Sequence, residues 1–397
     1  MPTSTKPAII ILGGGYAGLM ALARLRRSGL AAVTLVDARP AFEQRIRHHQ
    51  HLSGQPSQGL RYDRISGIRF VQAEVERVDA HFRLVYLRGR AEPLPYDILV
   101  YALGSVLDNS RIAGARDHGV HLHDKAALLP MANQLEDLAH RGDTVTVVGG
   151  GLTAIEAVSE IAERYPGLHL RLVCAQPLGA DLSAAGQAHL RQTLQALAVS
   201  VIEGERVSAI APGLISLSSG RELPSALTIP LAGMRANPLA QASGLPTEAG
   251  GRILVNTDLS VQGDTHIFAT GDSAAVYHGD GRLLRLSCAC GLPLGAQAGD
   301  NVLARLQGQA TTPFAFGYVF RCISLGRREG LIQFVDAYDN PRDKIWTGTR
   351  AAWLKEIICR YTWMLPWLEL HGIRTGRFPR HALSQLAPTQ PSWENPA

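Results

Sequence analysis

Two stretches of this 397-residue chain repeat one strand–glycine–helix pattern, and that repetition constrains the fold more than any other feature. The first is AIIILGGGYAGLMALARL, from Ala8. Its apolar run at residues 9–12 reads as a strand buried on both faces of a parallel sheet. From Tyr16 the spacing becomes helical, with Leu19, Leu22, Ala23 and Leu25 on one face and Arg24, Arg26 and Arg27 on the other. Between them lie Gly13, Gly14, Gly15, Tyr16, Ala17 and Gly18. Such a turn can be only a tight strand-to-helix corner. It can also cradle a diphosphate, because the helix start presents free N–H groups and the positive end of its dipole. The next strand, AAVTLVDARP, ends in Asp37, about 20 residues on, where an acidic residue meets the ribose hydroxyls of a dinucleotide. The opening therefore reads as a dinucleotide-binding βαβ unit.

The second copy is DTVTVVGGGLTAIEAVSEIAERYPGLHLRLVCAQP. Residues 145–148 form the strand, Gly149, Gly150 and Gly151 the turn, and Leu152 begins the helix, with Ala154 as the third small residue. Two such units in one chain predict two dinucleotide sites. The second differs at one place, because its following strand ends in Cys174 where the first has Asp37. A charge-assisted hydrogen bond to the ribose, worth roughly 1.5–3 kcal/mol, is unavailable there. No arginine follows at once to grip a 2′-phosphate, so poor discrimination between NADH and NADPH is expected.

The length suits two or three domains with sizeable cores. With 46% apolar and 18% charged residues the chain reads as globular α/β. A net charge of +5 is mild, and no lysine–arginine run resembles a nucleic-acid-binding arm. Five scattered cysteines, Cys174, Cys288, Cys290, Cys322 and Cys359, suggest reduced thiols in a cytoplasm rather than a disulfide framework. No signal peptide is visible and no run of 18 or more apolar residues occurs, so no bilayer-spanning segment is expected.

A third element, DTHIFATGDSAAV, places a short strand at 267–269 before Thr270, Gly271 and Asp272. With YDILVYALGS, from Tyr96, and the two glycine units, it resembles the pyridine nucleotide-dependent flavin oxidoreductases over residues 8–308. The resemblance implies FAD held by Gly13, Gly15, Ala17, Gly18, Asp37, Ala38, Arg39, Val75, Ala102, Gly104, Gly271 and Asp272. It implies a nicotinamide nucleotide at Gly149, Gly151, Thr153, Cys174 and Gly233. Residues 40–60 contain no cysteine and the second unit has only Cys174, so no dithiol is available to take electrons from the flavin. What remains looks like the type II NADH dehydrogenase-like branch. GGGLTAIEA resembles its G-G-G-x-T-G-x-E, which would set Glu156 facing nicotinamide and flavin. Its acceptor-side A-Q-x-A-x-Q survives in blurred form at residues 295–301, with Gln297 as the catalytic candidate. Cys288 and Cys290 would lie in a loop before the last flavin helix, as packing thiols.

Two stretches stand apart. Arg45, Arg47, His48, His49 and His51 crowd one segment. A metal site lacks a carboxylate or thiolate to complete it. A cationic lining beside the cofactor, a proton relay to the acceptor, or ordinary surface histidines are the other readings. All five tryptophans follow residue 340, and Trp353, Ile357, Tyr361 and Met364 share one helical stripe that Pro366 should end. Such a stripe either lies in a bilayer interface or packs against the flavin domain or a second subunit. Residues 387–397 read as a disordered tail.

The expected fold is α/β with two Rossmann-like domains. A discontinuous FAD domain (1–117 and 253–330) would flank a nucleotide domain (118–252), followed by a C-terminal segment (331–397). The expected reaction is hydride transfer from NAD(P)H through FAD to a quinone or quinone-like acceptor, with peripheral membrane attachment or homodimerisation as its setting. A soluble reductase or oxidase of an aromatic metabolite is the alternative enzyme. A flavin-binding redox sensor with a decayed nucleotide site is the alternative that is not an enzyme.

Overall fold

A computed structural model describes residues 6–51, 59–122, 125–375 and Phe378, so the tail at 387–397 lies outside the described residues. The first glycine unit forms as its pattern predicts: strand Ala8–Leu12, helix Tyr16–Ser28 and strand Ala32–Asp37. The two strands run parallel, Ile9 opposite Val33 and Leu12 opposite Val36. On its other side Ala8–Leu12 pairs in parallel with Ile98–Tyr101, which pairs with Asp264–Ala269. Arg69–Gln72 and the antiparallel Ser260–Val261 complete a six-stranded sheet. The chain thus leaves this sheet after residue 101 and returns to it at residue 260.

The second unit builds a separate parallel sheet in the order Ser200–Glu203, His169–Cys174, Thr144–Val148, Leu227–Pro230. Its strands Thr144–Val148 and Leu227–Pro230 are almost wholly buried. Val145, Val147, Leu172 and Ile229 are buried in one cluster with Ile155, Val158 and Ile161 of the glycine helix Leu152–Arg164.

Helix Cys288–Leu306 packs along helix Tyr16–Ser28. Gly295 and Gly299 form the seam. A Cβ on Gly295 would collide with the carbonyl of Ala17, and one on Gly299 would lie 2.9 Å from Arg24 Cβ. Only glycine allows the backbones to approach this closely. Cys288 and Cys290 open this helix instead of lying in a loop before it.

The chain ends in an antiparallel sheet of Phe320–Ser324, Gly330–Val335 and Pro341–Thr347, followed by helix Thr349–Leu370. Among the described residues, Phe320–Ser324 pairs with Gly330–Val335 alone. Pro366 does not end the last helix, which runs on to Leu370. The proline is buried, and the turn beyond it is anchored where Glu369 accepts from Arg24 Nη2 at 2.9 Å and Leu370 carbonyl accepts from Arg26. That anchoring outweighs the one helical hydrogen bond a proline removes. The Trp353–Met364 stripe lies on the opposite side of the helix, with Trp353 68%, Ile357 39%, Tyr361 48% and Met364 40% exposed. Among the described residues no helix is long and apolar enough to cross a membrane.

Candidate active site

At the first glycine turn the backbone of Gly13 sits at φ +93°, and a Cβ there would lie 2.5 Å from the Ala102 carbonyl. Gly15, at the helix start, has nothing within 4 Å of where its Cβ would be, and no side chain caps the helix. The donors of the first turn are thus left to an anion in front of Gly15. Ala17 and Gly18 continue into the buried helix. Asp37 ends its strand against this loop. One carboxylate oxygen accepts the Gly14 N–H at 2.7 Å, and the other accepts the Arg39 N–H at 2.8 Å. Ala38 is exposed beside it, and Val75 begins the strand that follows Ala73, whose N–H donates to the Asp37 carbonyl at 3.1 Å.

Elements distant in sequence close around the same loop. Gly104, at φ +71°, donates its N–H to Ser273 Oγ at 2.8 Å, and Gly271, at φ +64°, lies against Ala17. Asp272 accepts from Ser105 Oγ at 2.6 Å and from the Ser287 N–H at 3.1 Å. Arg45 donates to the Ser105 carbonyl at 2.8 Å, and although burial pulls its pKa down, Asp272 opposes that pull. The Thr270 hydroxyl is fully buried with no hydrogen-bond partner. An uncapped helix start, a strand-end carboxylate, a half-buried cation and an orphaned hydroxyl fit a diphosphate-linked dinucleotide such as FAD.

The second glycine turn has the same geometry. Gly149 has φ +136°, with a Cβ position 2.7 Å from the Leu231 carbonyl, and Gly151 is as open as Gly15. Thr153 is exposed on the first helical turn, and Gly233 follows the last strand at φ +88°. Cys174, however, is buried, with its thiol on the Ile202 carbonyl at 3.6 Å.

Glu156 ties these parts together. It projects from the second glycine helix and is 7% exposed. Its Oε1 accepts the Ser324 N–H at 3.1 Å and lies 3.0 Å from Lys355 Nζ, while Oε2 is 3.7 Å from His49 Nδ1. The carboxylate therefore joins the nucleotide-side helix, the histidine segment of the first part and both C-terminal elements. Burial alone would raise its pKa, but Lys355, then His49 and the Ser324 N–H, hold it below the usual value. Lys355 is held well above the usual value, because Cys322 and Glu156 outweigh its burial. His49 is lowered to about 4 by burial, which outweighs Glu156 and is reinforced by Lys355, Arg327 and Arg47. It is neutral at pH 7, and its buried Nε2 has no hydrogen-bond partner.

Lys355 is not among the site residues the sequence motifs single out. A lysine between aromatic and aliphatic residues in a terminal helix was the available signal. Gln297 is not brought to this junction. Gly295 and Gly299 face the first glycine helix, whereas Gln297 points away and donates to Thr312 Oγ1 at 2.7 Å. Cys288, Cys290 and Cys359 are pushed up by burial to about 12, 11 and 11, so these thiols stay protonated. Among the described residues no group of three or more His, Cys, Asp or Glu side chains could hold a metal ion.

The model of the pyridine nucleotide-disulphide oxidoreductase family matches residues 7–291. An NADH dehydrogenase-like protein of Mycobacterium tuberculosis is 30% identical over 349 residues, 80% of this chain and 85% of its own length. The type II NADH:quinone oxidoreductase of Staphylococcus aureus is 24% identical over 396 residues, covering 89% and 94%. Among solved structures, the sulfide:quinone oxidoreductase of Aquifex aeolicus superposes with a TM-score of 0.80 at 16% identity, covering 94% of this chain and 93% of that one. The two glycine units, their shared junction and these likenesses agree, and the chain belongs to the pyridine nucleotide-disulphide oxidoreductase family, among its NADH dehydrogenase-like members.

Proposed function

We propose that the protein is an FAD-dependent NADH:quinone oxidoreductase that works at a membrane surface. The observation that carries this is the pair of uncapped glycine-turn helix starts, the second of which sends Glu156 into a buried junction with the first part and the C-terminal unit. NADH and quinone are what the S. aureus relative is named for. FAD, when bound, supplies the two-electron centre between nucleotide and acceptor.

The chain's own residues do the rest. Gly13, Gly15 and Gly18 admit the FAD diphosphate to the first helix start, and Asp37 accepts from its ribose. Arg45 and Asp272 fix the middle of the cofactor. Gly149, Gly151 and Thr153 receive the diphosphate of NADH. Glu156 and Lys355, paired and buried, hold the two dinucleotide units in one orientation and keep water from their junction. Neutral His49 presents an unpartnered ring nitrogen there as a proton carrier toward the acceptor. Hydride from NADH and one proton from solvent reduce quinone to quinol. The exposed aromatic stripe of the last helix, with Arg360 beside it, attaches the protein to lipid, where quinones dissolve.

The test is steady-state oxidation of NADH by the purified holoprotein with and without a short-chain ubiquinone or menadione. Quinone should accelerate oxidation at least about tenfold and be reduced in equal amount. Oxidation that ignores added quinone refutes the acceptor assignment.

A further inference from the structure

The strand that ends in Cys174 lacks an acidic residue there, but the neighbouring strand ends in one. Glu203 is the direct partner of Cys174 across the parallel pairing, and both residues end their strands. Ligands of open α/β sheets bind beyond this carboxyl edge. Cys174 abuts the phosphate-binding turn, since a Cβ on Gly150 would lie 3.0 Å from Cys174 Cβ. The Glu203 side chain reaches the segment that follows Cys174. Its Oε1 accepts the Leu178 N–H there at 2.5 Å and lies 3.0 Å from Arg191 Nη2. The Glu203 and Arg191 side chains are 39% and 44% exposed, so their pairing adds little stability and leaves the carboxylate within reach of a ligand.

We propose that Glu203, and not Cys174, meets the adenosine ribose of the nicotinamide nucleotide and selects NADH by opposing a 2′-phosphate. The inference rests on the NADH reading above. The ribose hydroxyls of NADH can donate to a carboxylate. A 2′-phosphate brings roughly −1.5 to −2 charges against it and can donate nothing at neutral pH. Specificity then comes mainly from the repulsive term. Selectivity is accordingly firm, not poor as the cysteine alone implies.

Calorimetric titration of the holoprotein with ADP-ribose and with 2′-phospho-ADP-ribose tests this. The unsubstituted protein should bind ADP-ribose at least about tenfold tighter, ~1.4 kcal/mol. Glu203→Gln keeps an oxygen for the Leu178 N–H, removes the charge, and should bring the ratio to within about threefold by strengthening the phosphorylated ligand. Cys174→Ser should leave the ratio unchanged. Three results overturn the assignment: an unsubstituted protein that shows no preference for ADP-ribose, a Glu203→Gln variant that keeps the original ratio whether or not both ligands weaken together, or a shifted ratio in Cys174→Ser. Neither probe carries a nicotinamide, so the ratio stays readable even if the protein fails to oxidise NADH.

Discussion

The side chains that matter most are those whose charge is buried. Glu156 and Lys355 are nearly withdrawn from water, and each is the other's counterion at 3.0 Å. Glu156→Gln strands the ammonium and should cost about 3–5 kcal/mol of stability, whereas adding Lys355→Met should recover much of the loss. Urea unfolding of the two single variants and the double variant measures the coupling, and additive costs would show that the pair does not interact. His49 gives a pH signature of opposite character. Its folded pKa, about 4, lies below the ordinary 6.5, so between these values the unfolded chain binds more protons. Stability should therefore be complete above about pH 6.5 and fall as pH drops toward 4. Burial sets the direction of that shift, Glu156 opposes it, and Lys355, Arg327 and Arg47 reinforce it. His49→Gln should flatten that part of the profile, and an unchanged slope contradicts the assignment.

The elements were legible in the sequence wherever local pattern and tertiary burial agreed. Both glycine units are such cases, because strand, turn and helix each carried their own periodicity. Residues 295–301 were legible only as a motif fragment. That Gly295 and Gly299 are a helix-packing seam depends on which helix faces them, which the segment does not encode. Pro366 misled because its cost is local while the Arg24–Glu369 anchoring that offsets it is long-range. Glu203 was invisible for a similar reason, since its neighbour across the sheet is a product of strand register. The helix that contains Pro366 carries the clearest surface feature. Its stripe of Trp353, Ile357, Tyr361 and Met364 is an aromatic–aliphatic surface that soluble monomers rarely leave uncovered. The protein should co-sediment with anionic liposomes at low salt, less so at high salt. Trp353→Ala with Tyr361→Ala should weaken that several-fold. A protein that ignores liposomes and elutes as a dimer dissociated by the same substitutions would instead show the stripe covering a second copy.

For the whole molecule, two dinucleotide units are held in one orientation by a buried junction to which the C-terminal unit contributes Lys355 and Ser324. That arrangement explains why the chain needs its third unit although the family match ends at residue 291. The most direct measurement is an anaerobic absorbance titration of the purified protein. The protein should be yellow and release FAD on denaturation. One equivalent of NADH should bleach the visible flavin band, and one equivalent of a soluble quinone should then restore it. A colourless protein that takes up no FAD, or bound FAD that NADH does not bleach, would contradict the account.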